Sequence, residues 1–269
     1  MKIALCLHGY YLNAGGAEAS LKGSKYIKKN IIEENDVDVF VHSWEQEQEV
    51  QEVILNTYSP KSYTFEKQAN FEPELAKVDL SYFDEGFERS STMYKSNSPF
   101  QTLSFLYSRQ QAVKIKKTFE DSENFSYDCV VIARFDLGQR GKNCPQKYYA
   151  TDIRFDPTLD MSYLYSCYWD QLNWGFADHW FYSNSANIDL TGDAFDKVVE
   201  YYQPNSSYYK AITDGWPDSN TRNEFSNEML NPNPSEHLVK WDKWHCIDNH
   251  KYYKWYFIDT GLYKKCKFV

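Results

Sequence analysis

Residues Tyr127–Asp136 read YDCVVIARFD, with an unbroken apolar run from Cys129 to Ala133. A strand with one solvated face alternates apolar and polar residues; a run without alternation marks a strand covered on both faces. This is the central strand of a parallel sheet. It stops at Arg134-Phe135-Asp136, where two opposite charges flank a ring at a spacing of two, which puts both on one side of a strand. Ligands of open α/β sheets sit beyond the carboxyl ends of the strands, so this charged end is the first candidate site. A salt bridge at a sheet edge is the plainer reading of the same pair.

Working outward, Lys2–Leu7 (KIALCL) is a second buried strand, broken by His8-Gly9-Tyr10 and a Gly15-Gly16 loop. A helix is expected from Ala17 to Glu34, with Leu21, Tyr26, Ile27 and Ile31 at helical spacing. Val37–Trp44 (VDVFVHSW) is the next strand. This β-loop-α-β unit implies parallel strands and a right-handed crossover. Further expectations are a helix over Gln46–Leu55, a strand over Ser62–Glu66, an irregular polar stretch over 67–99 and a helix over Phe100–Asp121. Beyond Asp136 the pattern degrades into short strands and Tyr/Asn-rich loops, with a helix over Ala194–Tyr202 and an aromatic strand over Lys251–Ile258. There is no repeat and no Pro/Gly/Ser linker. The reading is one α/β domain over 1–269, its regular first half (1–138) suited to a nucleotide and its irregular second half (139–269) to shaping a pocket.

The 269 residues are 42% hydrophobic and 25% charged, the balance of a globular chain. A formal net charge of −9 argues against nucleic acid or an anionic membrane surface as partner, since both require clustered Lys and Arg. With 23 Tyr, 17 Phe and 8 Trp, most rings are expected in the core and some are available to stack on sugar faces or a base. The six cysteines show no C-x-x-C spacing, which disfavours a zinc knuckle. Cys6 and Cys129 lie inside apolar strands and fit a reducing setting. No secretory signal or span of roughly 20 apolar residues is recognisable, so a cytoplasmic location is expected.

Three strand ends collect the chemistry: His8-Gly9-Tyr10, His42-Ser43-Trp44 and Arg134-Phe135-Asp136. No G-x-G-x-x-G or P-loop is present. Asp136 is a candidate ligand for a divalent ion (Mn²⁺ or Mg²⁺) bridging a diphosphate, with Arg134 supplying positive charge to a leaving group. Asp178-His179, between Trp174 and Trp180, suits a sugar pocket, with Asp178 as general base; a buried Asp capping a turn is the alternative. His237, His245 and His250 are structural candidates that leave one metal ligand open.

Together these segments resemble a family of small glycosyltransferases from bacterial surface-polysaccharide clusters and large DNA viruses. The resemblance rests on the order of Leu7-His8-Gly9-Tyr10, Asp38–Trp44, Tyr58-Ser59-Pro60-Lys61, Tyr107–Ala112, Tyr127–Asp136, Ala177–Ser183 and Pro234–Leu238. It covers most of the chain. It implies a Rossmann-like glycosyltransferase-A fold, mostly parallel and flanked by helices, a nucleotide-sugar donor, a glycan acceptor and a divalent cation. The nucleotide would lie over His8, Gly9 and Tyr10 near His42, with its diphosphate toward Asp136 and neutralised by Arg134 or Arg109. Two departures stand out: Tyr10-Tyr11 replaces the family's Gln-Arg, and Arg134 stands at the first position of its Asp-x-Asp. In place of part of the metal's charge, Arg134 would then act directly. Two other classes compete: a carbohydrate-binding protein without catalysis, and another nucleotide-dependent α/β transferase such as a methyltransferase. Against the latter, the second strand ends in His42-Ser43-Trp44 instead of an acidic ribose-binding residue.

Overall fold

The apolar run forms strand β4 (Cys129–Arg134) in the middle of a seven-stranded sheet. The computed structural model describes residues 1–12, 16–79, 98–138, 151–167, 176–209 and 249–269. Among these, the other strands are β1 (Ile3–Gly9), β2 (Val37–Ser43), β3 (Ser62–Phe65), β5 (Leu164–Ser166), β6 (Trp180–Ser183) and β7 (Cys266–Phe268). Their order is β3-β2-β1-β4-β6-β5-β7. β3, β2, β1 and β4 pair in parallel. β6 is antiparallel to both β4 and β5, and β7 is parallel to β5. Only β6 therefore runs against the rest, giving the mostly parallel sheet expected from the unbroken apolar runs.

Two cores, one on each face of the sheet, explain those runs. Ala4 and Cys6 of β1, Phe40 of β2 and Val130 and Ile132 of β4 face one core. Their neighbours Ile3, Leu5, Leu7, Val39, Val41, Cys129, Val131 and Ala133 face the other. Each strand thus needs apolar residues at both parities. The second face is covered by α1 (Gly16–Ile27, continued by a π-helical turn over Lys28–Ile32) and α2 (Gln48–Tyr58), through Ile27, Ile31, Val50 and Ile54. The first face carries the longest described helix, α4 (Pro99–Glu123), which follows the single turn α3 (Glu72–Leu75). α4 starts cleanly because Ser98 accepts from the Gln101 amide while the Gln101 side chain accepts from the Ser98 amide, with Pro99 in the first turn. That reciprocal cap satisfies two otherwise orphaned donors. α4 ends at Asn124 in the left-handed conformation, φ 53°.

α5 (Ser185–Gly192) continues through a 3₁₀ turn, Asp193–Lys197, into α6 (Val198–Tyr201). The helix expected over Ala194–Tyr202 is therefore present, partly as 3₁₀. The expectation for Lys251–Ile258 is overturned: it belongs to a helix, α7 (Asn249–Asp259), not to a strand. Aromatic side chains favour strands only as half-buried, pleated surfaces, whereas Lys251–Phe257 is buried without interruption. The hydroxyls of Tyr252, Tyr253 and Tyr256 reach the carbonyls of Ala194, Thr191 and Leu190. Those tyrosines satisfy carbonyls around the end of α5 that an ordinary helix leaves unpaired.

Most described rings are core, as the composition suggested. Cys6, Cys129, Cys167 and Cys266 are buried; burial pushes the thiols of Cys6, Cys129 and Cys167 up to about 12. Gly138, at φ 72°, has no room for a side chain: a Cβ would lie 2.3 Å from Tyr26 Cγ on α1. It thereby seats the segment leaving β4 against α1. No helix among the described residues is long and apolar enough to cross a membrane.

Candidate functional site

The three strand ends singled out in the sequence meet. Pairing register places His8 opposite His42 on one side and opposite Arg134 on the other. Because side chains alternate, these three share the sheet face covered by α4. The Arg134 amide donates to the His179 carbonyl at 3.0 Å, which extends the row to the start of β6. The order 3-2-1-4 changes direction between β1 and β4, the position where doubly wound sheets open a crevice. A cavity of about 500 Å³ lies there. Its walls come from β1 and the turn after it (His8, Gly9, Tyr10, Leu12), from Trp44, from α4 (Phe100, Gln101, Ser104, Phe105), from the end of β4 (Arg134, Phe135, Asp136), and from Gln68 and Asn249.

The rim is held rigidly. Gly9, at φ 97°, turns the chain in a region that L side chains rarely adopt. Its amide donates to Ser108 Oγ at 2.9 Å, and its carbonyl accepts from Ser43 Oγ at 2.8 Å. The Leu12 amide donates to Glu45 Oε1 at 2.7 Å. Ser108 Oγ also lies 2.7 Å from His42 Nδ1, and His42 Nε2 lies 2.7 Å from Glu66 Oε1. One tautomer closes this chain. Ser108 accepts from Gly9 and donates to Nδ1, leaving Nε2–H to donate to Glu66. Burial holds the His42 pKa below the usual imidazole value, although Glu66 opposes the shift, and the ring is neutral at pH 7. Trp44 stacks on Tyr107 at 5.5 Å. The pairs His42/Trp44 and Tyr107/Ser108, far apart in sequence, thus form one interlocked unit.

Beneath Arg134 lies a second polar layer. Arg134 pairs with Asp136 Oδ2 and lies 3.8 Å from Asp178 Oδ1. Asp178 is sealed (1% exposed); it accepts from Asn249 Nδ2 at 3.1 Å, with His179 Nδ1 and His250 Nδ1 at 3.6 and 3.7 Å. Burial alone would raise its pKa, but His250, His179, Arg134 and the Asn249 hydrogen bond hold it well below the usual carboxylate range. His179 is pulled down to about 4 by burial and by Arg134. His8 is held well below the imidazole range by burial and by the charges of Arg109 and Arg134.

Of the residues proposed from sequence, His8, Gly9, Tyr10, Arg134 and Asp136 line the cavity, whereas His42, Arg109 and Asp178 stand behind its walls. The Arg109 guanidinium lies over the rings of Phe181, Tyr253 and Phe105 at 4.4, 4.9 and 5.6 Å. Trp180 is sealed and stacks on Tyr182. Trp169 and Trp174, together with His237, His245 and Pro234–Leu238, fall outside the described residues. Ser104, Gln101, Glu66 and Asn249 were not anticipated. Glu66 closes a predicted strand, which was a usable signal; Asn249 carried none.

Among the described residues, several atoms in this region are buried without a hydrogen-bond partner: both ring nitrogens of His8, Asp136 Oδ1, Asp178 Oδ1, Asn249 Oδ1 and His179 Nδ1. Each such group costs about 1–3 kcal/mol, and native interiors tolerate few of them. For a divalent cation the donor set is thin. Asp136 keeps one oxygen free of Arg134 and faces a guanidinium on the other. Among the described residues no group of three or more His, Cys, Asp or Glu side chains converges on a metal position. No family model, curated protein or solved structure matched the chain.

Proposed function

We propose that this chain is a glycosyltransferase that moves a sugar from a nucleotide-sugar donor to a hydroxyl of a glycan acceptor, in surface-polysaccharide or glycoprotein glycan synthesis. The observation that carries the reading is the cavity at the β1/β4 switch point, whose walls gather the charged and glycine-bearing strand ends. The charged and polar lining suits a polar ligand of moderate size, and its position is that of nucleotide sites in open α/β sheets.

In this reading the nucleotide lies over Gly9 and Tyr10, with Trp44 and Phe100 offering apolar faces. When the bond between the anomeric carbon and the phosphate oxygen breaks, negative charge grows on the leaving nucleoside diphosphate. Arg134, the cation that lines the cavity among the described residues, stabilises it by pre-set electrostatics. Asp178 acts through Arg134 as a positioning residue, since its carboxylate lies behind the guanidinium. His42 and Ser108 hold the Gly9 turn in shape.

A thermal-shift screen against UDP, GDP, CMP and TDP sugars, with and without Mn²⁺, tests this. A true donor raises the melting temperature as RT ln(1 + [L]/Kd), and the same donor is then hydrolysed or transferred. Silence from every nucleotide sinks the proposal. A response to free glycans alone favours the carbohydrate-binding alternative.

A further inference from the structure

We propose that the outer face of α1 and α2 is a self-association surface, on which a second copy of this chain docks about a two-fold axis with the lysines of each copy over the glutamates of the other. The inference is independent of the glycosyltransferase reading.

α1 carries the chain from β1 to β2 and α2 from β2 to β3, three parallel neighbours. The two helices therefore run in the same direction on one sheet face, seated by Ile27, Ile31, Val50 and Ile54. The Tyr58 hydroxyl donates to Ser24 Oγ at 3.1 Å, which levels the last turn of α2 with the last turn of α1. Facing outward in mid-helix are two apolar side chains, Leu21 at 52% and Val53 at 45% exposure. Charge is divided around them. Lys22, Lys25, Lys28 and Lys29 occupy the second half of α1 and its π-helical turn, in a chain of net charge −9. Glu47, Glu49 and Glu52, with Gln48, line an open hollow of about 590 Å³ over the start of α2. Lys22 lies 3.1 Å from Glu18 within α1, but both are largely exposed, and such a pair is readily exchanged. Opposite charges thus stand at opposite corners of a two-helix layer, with Leu21 and Val53 between them. A two-fold axis lying in that layer along the other diagonal carries each corner onto the other, so every charge match is made twice. An apolar centre within a charged rim is the anatomy of protein interfaces. A polyanion or an anionic membrane suits the lysines but meets the glutamates beside them; a second copy answers both signs. Helices of 12 and 11 residues, about 17 Å long and about 10 Å apart, give a footprint at the small end for specific interfaces. The association is therefore weak and sensitive to salt.

Sedimentation equilibrium of the full chain tests this. Between about 1 μM and about 100 μM chain, the average mass should rise toward twice that of the monomer at about 0.1 M salt. The dissociation constant should increase at least about tenfold at 1 M salt, where charges are screened beyond about 3 Å. Lys25→Glu with Lys29→Glu, and separately Glu49→Lys with Glu52→Lys, should each leave the chain monomeric throughout that range. Mixed in equal amounts, the two reversed chains should dimerise again, because one then offers glutamate on both helices and the other lysine on both. All four positions are exposed and Glu and Lys are comparable helix formers; an unchanged circular-dichroism spectrum confirms each fold. Leu21→Ser with Val53→Ser leaves the charges in place and should weaken association about tenfold, the worth of the apolar surface withdrawn. A wild type that stays monomeric at the highest concentration overturns the inference. So does a dimer that survives the reversals or the serine pair, or a mixture that fails to dimerise. Binding of phosphatidylserine vesicles by a monomeric wild type, lost in Lys25→Glu with Lys29→Glu, would assign the lysines to an anionic membrane instead.

Discussion

Two buried cations on one helix have opposite surroundings. Lys116 and Arg109 lie seven residues apart on α4, and neither is exposed. At that spacing they sit two turns apart on the same face. Lys116 Nζ donates to Glu120 Oε2 at 2.7 Å, to Asp189 Oδ1 at 2.5 Å and to Ser185 Oγ at 2.6 Å, which uses all three ammonium protons. Among the described residues no carboxylate pairs with Arg109, which is faced by aromatic rings and has the Tyr253 hydroxyl as its polar neighbour. The saturated cation stands at the far end of the helix, where it ties α4 to α5. The unsaturated one stands at the cavity end, behind Phe105 and near His8. The matched cation joins two helices, and the unmatched one lies behind the cavity wall formed by Phe105 and His8.

The largest effect should come from breaking the saturated cluster. Lys116→Met removes the cation, leaving Glu120 without a charge partner among the described residues and Asp189 with the longer contact to Lys117 Nζ at 3.7 Å. Loss of one member of a buried pair costs about 3–5 kcal/mol, visible as a lower urea midpoint. A cost below about 1 kcal/mol would mean that the matched cluster is not what secures this face.

Ser108→Ala probes the joint between the two regions. It strips partners from the Gly9 amide and His42 Nδ1 together, two groups worth about 1–3 kcal/mol each. A loss of about 2–4 kcal/mol is expected in the same denaturation assay, with weaker binding of whichever nucleotide sugar the screen identifies. Loss of stability without any loss of binding would detach the Gly9 turn from the site.

These contrasts were unevenly legible in the sequence. Cys129–Ala133 and Lys2–Leu7 announced themselves because a strand covered on both faces must be apolar at both parities. Arg134 and Asp136 stood out because nothing in a sheet interior explains two charges ending such a strand. That His8, His42 and Arg134 form one row depended on pairing register, which no local pattern encodes. Asp178 was legible as chemistry but not as depth: burial behind Arg134 follows from β6 running antiparallel beside β4. Asn249 lies 71 residues from Asp178 and gave no sign. α7 was misread because ring-rich segments resemble strands, although Tyr252, Tyr253 and Tyr256 fall at the i, i+1, i+4 spacing of a helix face.

Acidification should expose the unmatched cluster selectively. The His179 pKa is about 4 in the folded chain and about 6.5 when unfolded. The unfolded state therefore takes up the proton first. The contribution of neutral His179 is complete above pH 6.5 and is lost as pH falls toward 4. Between pH 7 and 5 this amounts to about 2 kcal/mol. Wild type should lose that much more stability than His179→Asn over the same interval; equal losses would place the acid sensitivity elsewhere.

The smallest expected effect is the one that tests the comparison most directly. Arg109→Met removes a buried charge that no carboxylate among the described residues pairs and puts an apolar chain of similar length among Phe105, Phe181 and Tyr253. Exchange of buried ionic groups for apolar ones of like volume is often neutral or stabilising, while the lost ring contacts are worth about 0.5–2 kcal/mol. The two terms oppose each other, and the net change in unfolding free energy should stay within about 1 kcal/mol. Function should not be spared. Arg109 helps to keep His8 neutral, so its removal should let the His8 pKa rise, which can be followed through the imidazole proton shifts in an NMR titration. A cost equal to that of Lys116→Met would mean that Arg109 is as structural as Lys116, and the division of α4 into a holding end and a binding end would fail.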